Sequence, residues 1–141
     1  MIEKVAAVII RDHQVLVCRK HGTGVFLSPG GKIEPGETAE QCLRRELREE
    51  LDVSLAMIRP FGTYTASSAL EDEQVRVQVF IANIDGEPEP STEIVELAWV
   101  GSDVGRNNGL SVGSVFAEQV IPDLIEEGMI VPDERQDLWN D

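Results

Sequence analysis

Cysteine, positive charge and long apolar runs are all scarce in this sequence, and each scarcity excludes something. Only Cys18 and Cys42 are present. They form no metal-ligand pair and no disulfide framework, so they read as reduced thiols in a cytoplasmic protein. Lys and Arg total 12 against 26 Asp and Glu, a formal net charge of −14. Such a surface repels nucleic-acid backbone and anionic lipid, which argues against a nucleic-acid polymer or a membrane as partner. A small phosphorylated substrate stays open, provided divalent cations neutralise both sides. The longest apolar run, residues 5–10, is far too short to cross a bilayer and suits a strand. Glu3 and Lys4 stand directly before it with no small-residue cleavage pattern, which argues against a secretory signal. Internal repeats and low-complexity segments are absent too.

What is present is ordinary for a folded domain. The chain has 141 residues with a 42% apolar share, enough to bury a core. The expectation is one domain over residues 1–131 and a polar tail at 132–141, ordered only if Leu138 and Trp139 find a surface to cover. β-Branched runs at residues 4–11 and 14–20, separated by Asp12-His13, predict a hairpin. Residues 27–33 contain Pro29-Gly30-Gly31 and predict a loop or a short interrupted strand. The clearest helix follows. Thr38 can N-cap it, Gln41 can close a capping box, and Ala39, Leu43, Leu47 and Leu51 recur every fourth residue before Asp52 ends it. Further strands are expected at 58–66, 75–84 and 93–100, with a break over residues 85–90. Residues 101–111 read as a polar connection. A second helix over 115–125 has Pro122 inside it, which predicts a kink. Strands with two helices, not in strict alternation, point to a mixed sheet flanked by helices.

The first helix carries Glu46, Glu49 and Glu50 at i, i+3 and i+4, within an arc of roughly 100°. Like charges at this spacing cost a helix roughly 0.2–0.5 kcal/mol per pair. By itself such a run is a solvated acidic face. A rigid row of carboxylates is also what a hard divalent cation binds, and Mg²⁺ commonly combines a few of them with water and substrate phosphates. Gly30 and Gly31, just upstream, let backbone approach a ligand closely. Glu37 and Arg45 are placed to pair between loop and helix.

Taken together, Gly31-x₅-Glu37-x₇-Arg45-Glu46-Leu47-x-Glu49-Glu50 resembles the Nudix box of the Nudix hydrolase family. The family pattern continues with any residue, a glycine and an aliphatic residue. Here these are Leu51, Asp52 and Val53, so Asp52 replaces the glycine and bears on the helix exit. The likeness extends to the opening strands, to Leu27 through Glu34 and to the strand ending in Trp99-Val100, covering most of residues 1–127. It implies an α/β/α sandwich with a mixed central β-sheet, and hydrolysis of a nucleoside diphosphate linked to another group X.

The resemblance also implies roles. The Gly31 carbonyl and the carboxylates of Glu46, Glu49 and Glu50 would surround Mg²⁺ (or Mn²⁺), which would neutralise the diphosphate and lower the pKa of an attacking water. Glu46 is the expected general base, Glu37 and Arg45 a structural pair, and Glu93 a further metal candidate, with Glu96 beside it. Arg19 and Lys20 could meet substrate phosphate, although strand-end cations are often merely exposed. Phe26, Phe80 and Trp99 could line a base pocket, although strand aromatics are more often core. Cys42 reads as packing and His21 as a loop residue.

Within the family the closest resemblance is to the MutT-like branch, which releases pyrophosphate from nucleoside triphosphates such as 8-oxo-dGTP. Relatives that read oxidised guanine place an asparagine beside the last helix. The nearest counterpart here is Ala117, with Asn107 and Asn108 earlier in the loop. The alternative substrates are ADP-ribose, NADH or a dinucleoside polyphosphate. An alternative of another class is a non-catalytic nucleotide-sensing module, usually marked by eroded box glutamates, which this chain keeps. A monomer and a homodimer both stay open.

Overall fold

The computed structural model describes residues 1–67, 73–91, 93–102, 111–113 and 115–131. The tail expected at 132–141, with Leu138 and Trp139, lies outside the described residues, as do Asn107 and Asn108. Nine strands, two α-helices and a π-helical turn are described. Strands β1 (Ile2–Val8), β5 (Gly30–Lys32), β6 (Ser54–Ser67) and β7 (Gln74–Asp85) form a mixed sheet in the order β5-β1-β7-β6. In it β1 and β7 are parallel and the other pairs antiparallel. A second sheet joins β2 (Ile10–Arg11), β3 (Gln14–Lys20) and β8 (Ile94–Val100), and a short parallel pair joins β4 (Val25–Phe26) to β9 (Ser111–Val112).

The opening hairpin is smaller than the sequence predicts. Asp12 and His13 do form a two-residue turn, both with positive φ, at 52° and 62°. However, the paired strand is limited to Ile10 and Arg11, with the Leu16 N–H still donating to the Ile9 carbonyl at 3.0 Å. The run breaks at Ile9, where the chain leaves the first sheet and enters the second. β1 and β3 therefore belong to different sheets, and a fork opens between them. A pattern of β-branched residues marks extended chain but not its partner.

Alternation along the strands builds two cores on opposite faces. Val5, Ala7, Leu16, Phe80 and Ala82 face helix α1 (Ala39–Leu51) through Leu43, Leu47 and Leu51. Val8, Val15, Val17, Val79 and Val100 face helix α2 (Ile121–Glu126) through Ile121 and Leu124. The result is the expected α/β/α sandwich with a mixed sheet. In α1 the capping box forms as predicted. The Gln41 N–H donates to Thr38 Oγ1 at 3.1 Å, and the Thr38 N–H donates to Gln41 Oε1 at 2.9 Å. The kink expected near Pro122 takes the form of a π turn, Phe116–Val120, leading directly into α2. A widened turn accommodates the amide hydrogen that proline lacks. Among the described residues no helix is long and apolar enough to cross a membrane.

Candidate active site

Residues 25–32 carry the chain across the fork between the sheets. Leu27 and Cys18 exchange backbone hydrogen bonds of 2.8 Å at the edge of β3, and the Ala7 N–H donates to the Pro29 carbonyl at 2.8 Å on the other side. Gly30 then pairs with Ala6 and Gly31 with Val5. The backbone requires glycine at the first position, and at the second the lack of a side chain leaves room for Glu46. At Gly30, with φ at 149°, a Cβ would lie 2.0 Å from the Val5 carbonyl oxygen; at Gly31 it would lie 2.6 Å from the Glu46 carboxylate. The missing side chains let α1 bring carboxylates against the strand.

Glu50 is the only polar or charged residue among the described ones that is fully buried, at 3% exposure. The Gly30 N–H donates to its Oε1 at 2.9 Å, and Lys20 Nζ stands 4.0 Å from Oε2. Burial pushes its carboxyl pKa up to about 7 despite the Gly30 amide and Lys20, and the charges of Glu46 and Glu93 push the same way. Glu46 is raised as well, by burial first, against the pull of Arg45. Uncompensated carboxylate charge beside a ligand-sized cleft marks a functional-site candidate.

Arg45 organises the other end of the arc. Its Nε and Nη2 donate to both oxygens of Glu37, at 2.8 and 3.0 Å, and Nη1 donates to Glu46 Oε1 at 2.9 Å. Nη1 also reaches Glu49 Oε2 at 3.5 Å. This fork and the Glu34 N–H hold the Glu37 carboxyl down to about 2. The expected loop-to-helix pair is therefore present. The three glutamates are less convergent than their spacing suggests. Glu50 points inward, Glu46 lies against Gly31, and Glu49 is largely exposed beside Arg45. Among the described residues no three acidic, histidine or cysteine side chains stand together as a ready-made ligand set. The donor chemistry nevertheless fits a hard divalent cation: carboxylates and a strand-edge carbonyl, one carboxylate buried without full charge compensation.

The remaining expected residues separate by strand alternation. Lys20 shares the Glu50 side of β3. Arg19 turns the other way, where it binds Glu96 Oε1 at 3.2 and 3.1 Å and the Thr23 carbonyl at 3.1 Å, and lies over the Phe26 ring. Phe26 and Phe80 are buried in the two cores and do not line the cleft; Trp99 packs against the core with Arg11 over its ring. Glu93 is exposed, at the entry to β8. Its main-chain carbonyl accepts from the His21 N–H at 3.3 Å, and its charge acts on Glu50. Burial raises the thiols of Cys18 and Cys42 to about 12, so both are neutral. Ala117 packs in the second core.

A cleft of about 710 Å³ occupies the fork. Glu50, Lys20, Gly30 and Gly31 lie on its wall, as do Val77 and Val79 of the mixed sheet. Val25, Leu27 and Phe116 line it too, and these the sequence reading missed. The usable signal is that Val25 and Leu27 are exposed apolar residues flanking a buried Phe26. Phe116 comes from a distant segment, and nothing local marks it.

Comparison with known proteins agrees with this geometry. The model of the NUDIX domain matches residues 2–108. The chain is 41% identical over 75 residues to the CTP pyrophosphohydrolase of Escherichia coli, covering 50% of this chain and 53% of that protein. It is 38% identical over 77 residues to the oxidized purine nucleoside triphosphate hydrolase of Danio rerio, covering 54% and 49%. It is 32% identical over 95 residues to the NAD-capped RNA hydrolase NudC of Vibrio parahaemolyticus, covering 64% and 35%. The chain thus spans about half the length of the first two relatives and about a third of the last. Among solved structures, that of the E. coli ORF135 protein superimposes with a TM-score of 0.68 at 27% identity, covering 92% of this chain and 89% of that one.

Proposed function

The chain belongs to the NUDIX domain family, and on that premise we propose that it is a hydrolase of phosphoric anhydride bonds whose substrate is a nucleoside diphosphate linked to X. The reading best supported is a nucleoside triphosphate pyrophosphohydrolase. Water cleaves the anhydride between the α and β phosphates, and the products are a nucleoside monophosphate and pyrophosphate. The observation that carries the proposal is the buried Glu50 carboxylate, held by the Gly30 amide at the edge of a ligand-sized cleft. The similarity to a CTP pyrophosphohydrolase and to an oxidized purine nucleoside triphosphate hydrolase supports the triphosphate class.

The Gly31 carbonyl, Glu46, Glu49 and Glu50 would hold Mg²⁺, with Glu93, whose charge acts on Glu50, as a further candidate; the ion would neutralise phosphate charge and acidify the attacking water. The protein's own groups do the rest. Arg45 and Glu37 fix the loop that presents Gly31. The glycines hold the strand edge open to the phosphates. Lys20 balances their charge. Glu46, whose pKa burial raises against the pull of Arg45, takes the proton of the attacking water. Val25, Leu27 and Phe116 offer the base an apolar wall.

A second reading, pyrophosphate cleavage in a dinucleotide such as NADH, draws on the similarity to an NAD-capped RNA hydrolase. Supplying Mg²⁺ with CTP, 8-oxo-dGTP, ADP-ribose, NADH and a dinucleoside polyphosphate in parallel, and following pyrophosphate and phosphate release, separates them. Pyrophosphate from a triphosphate is expected. Turnover confined to NADH or ADP-ribose moves the protein to the second reading. Binding without cleavage of any of them, in Mg²⁺ or Mn²⁺, leaves a nucleotide-sensing module.

A further inference from the structure

The chain has only three lysines, Lys4, Lys20 and Lys32, against 26 acidic residues. The fold gathers them. Lys4 of β1 lies opposite Lys32 of β5 in the antiparallel register, one pair beyond Val5–Gly31. Lys4 and Lys20 both line the cleft. The acidic residue next to Lys4 is committed elsewhere, because Glu3 is paired with Arg76.

The strand register also orders the cleft. The Gly30–Ala6 pair stands beside Glu50, and Lys4 lies two residues farther out along β1, or about 7 Å at strand spacing. Val75 and Ala66 line the same outer end, whereas Val25, Leu27 and Phe116 line the other wall. A substrate with its base on that apolar wall and its scissile diphosphate at Gly31 and Glu50 therefore extends its distal group toward Lys4.

We propose that Lys4 is a positioning residue that seats the terminal phosphate of a triphosphate, and so selects substrates whose X is itself a phosphate. This rests on the diphosphate-hydrolase reading above and narrows it to polyanionic substrates. A lysine ammonium meets phosphate as a compact point charge, and removing it costs binding rather than chemistry.

The test compares Lys4→Gln and Lys4→Arg with the wild type on a nucleoside triphosphate and on ADP-ribose. Lys4→Gln is expected to raise KM for the triphosphate about five- to tenfold with kcat within about twofold, to leave KM for ADP-ribose unchanged, and to be rescued by arginine. In parallel, calorimetric titration of inorganic tripolyphosphate in Mg²⁺ is expected to show weaker binding to Lys4→Gln by a similar factor. Equal KM changes on both substrates, or undiminished tripolyphosphate binding, overturn the proposal. If the wild type cleaves neither substrate, the hydrolase reading fails while the titration still decides whether Lys4 holds a polyphosphate.

Discussion

The two ends of the α1 carboxylate row are treated in opposite ways by the same fold. At Glu37 and Arg45 the charges meet in a bidentate fork with a backbone amide added, and the carboxyl is held down to about 2. At Glu50, farther along the helix, the carboxylate is buried with a single amide donor and a lysine at 4.0 Å, and its pKa climbs to about 7. The first end is a finished structural clamp. The second carries charge the protein alone does not neutralise, as expected where a cationic ligand completes the site. A site that stores electrostatic cost in this way trades stability for binding.

Glu50→Gln should widen that contrast most. Turnover should fall by at least about a hundredfold, because cation-assisted charge stabilisation supplies several kcal/mol of the barrier. In EDTA at pH 8 the same variant should be more stable than the wild type by about 1–3 kcal/mol, since a neutral amide replaces a buried charge. Urea denaturation and steady-state rates check both. A variant that is less stable and fully active would remove the distinction between the ends.

Arg45→Lys attacks the clamp instead. One ammonium cannot reproduce the fork, so the loop bearing Gly31 loosens and Mg²⁺ affinity should fall about tenfold, with a lower Tm. Calorimetric Mg²⁺ titration reads the first effect and thermal unfolding the second. Unchanged Mg²⁺ affinity would confine the clamp to a structural role.

The pH dependence of stability should carry opposite signs at the two ends. Glu50 has a folded pKa above its ordinary 4.5, so the folded state holds the extra proton and stability declines as pH rises from about 4.5 through about 7. Glu37 lies below 4.5, so its contribution is present above that pH and is lost as pH falls toward about 2. Urea midpoints of wild type minus Glu50→Gln across pH 4–8 in EDTA isolate the first term. A flat difference would mean that Glu50 titrates normally.

The smallest effect is expected just past the helix. Asp52 caps α1 in the left-handed region at φ 55°, its N–H donating to the Arg48 carbonyl at 3.2 Å. Asp52→Gly should stabilise the fold by about 0.5–1 kcal/mol by relieving that conformation, without altering turnover. The helix exit thus keeps the left-handed geometry that a glycine would adopt, and the substitution bears on stability rather than on the site. A lower Tm would show that the exposed Arg48–Asp52 contact outweighs the backbone term.

Local chemistry made much of this protein legible before any coordinates. The capping box at Thr38 and Gln41, the leucine stripe, the turn at Asp12-His13 and the pairing of Glu37 with Arg45 are each decided within a few residues. So is the diglycine, because its lack of Cβ is a property of the residue itself. What was misread depends on contacts distant in sequence. Ile9 hands the chain from one sheet to the other, and this limits the hairpin to two pairs. Strand alternation turns Arg19 away from the side that Lys20 faces and buries Phe26 and Phe80.

By itself, then, the sequence determined the elements, the box and its charged residues, because short-range hydrogen bonding and side-chain periodicity require no partner. Only the tertiary structure decided that Glu50 is buried while Glu49 is exposed, that a cleft opens between two diverging sheets, and that Lys4 and Lys20 both line it. Burial and electrostatic potential are sums over atoms from distant segments, and strand register settles which of those segments meet.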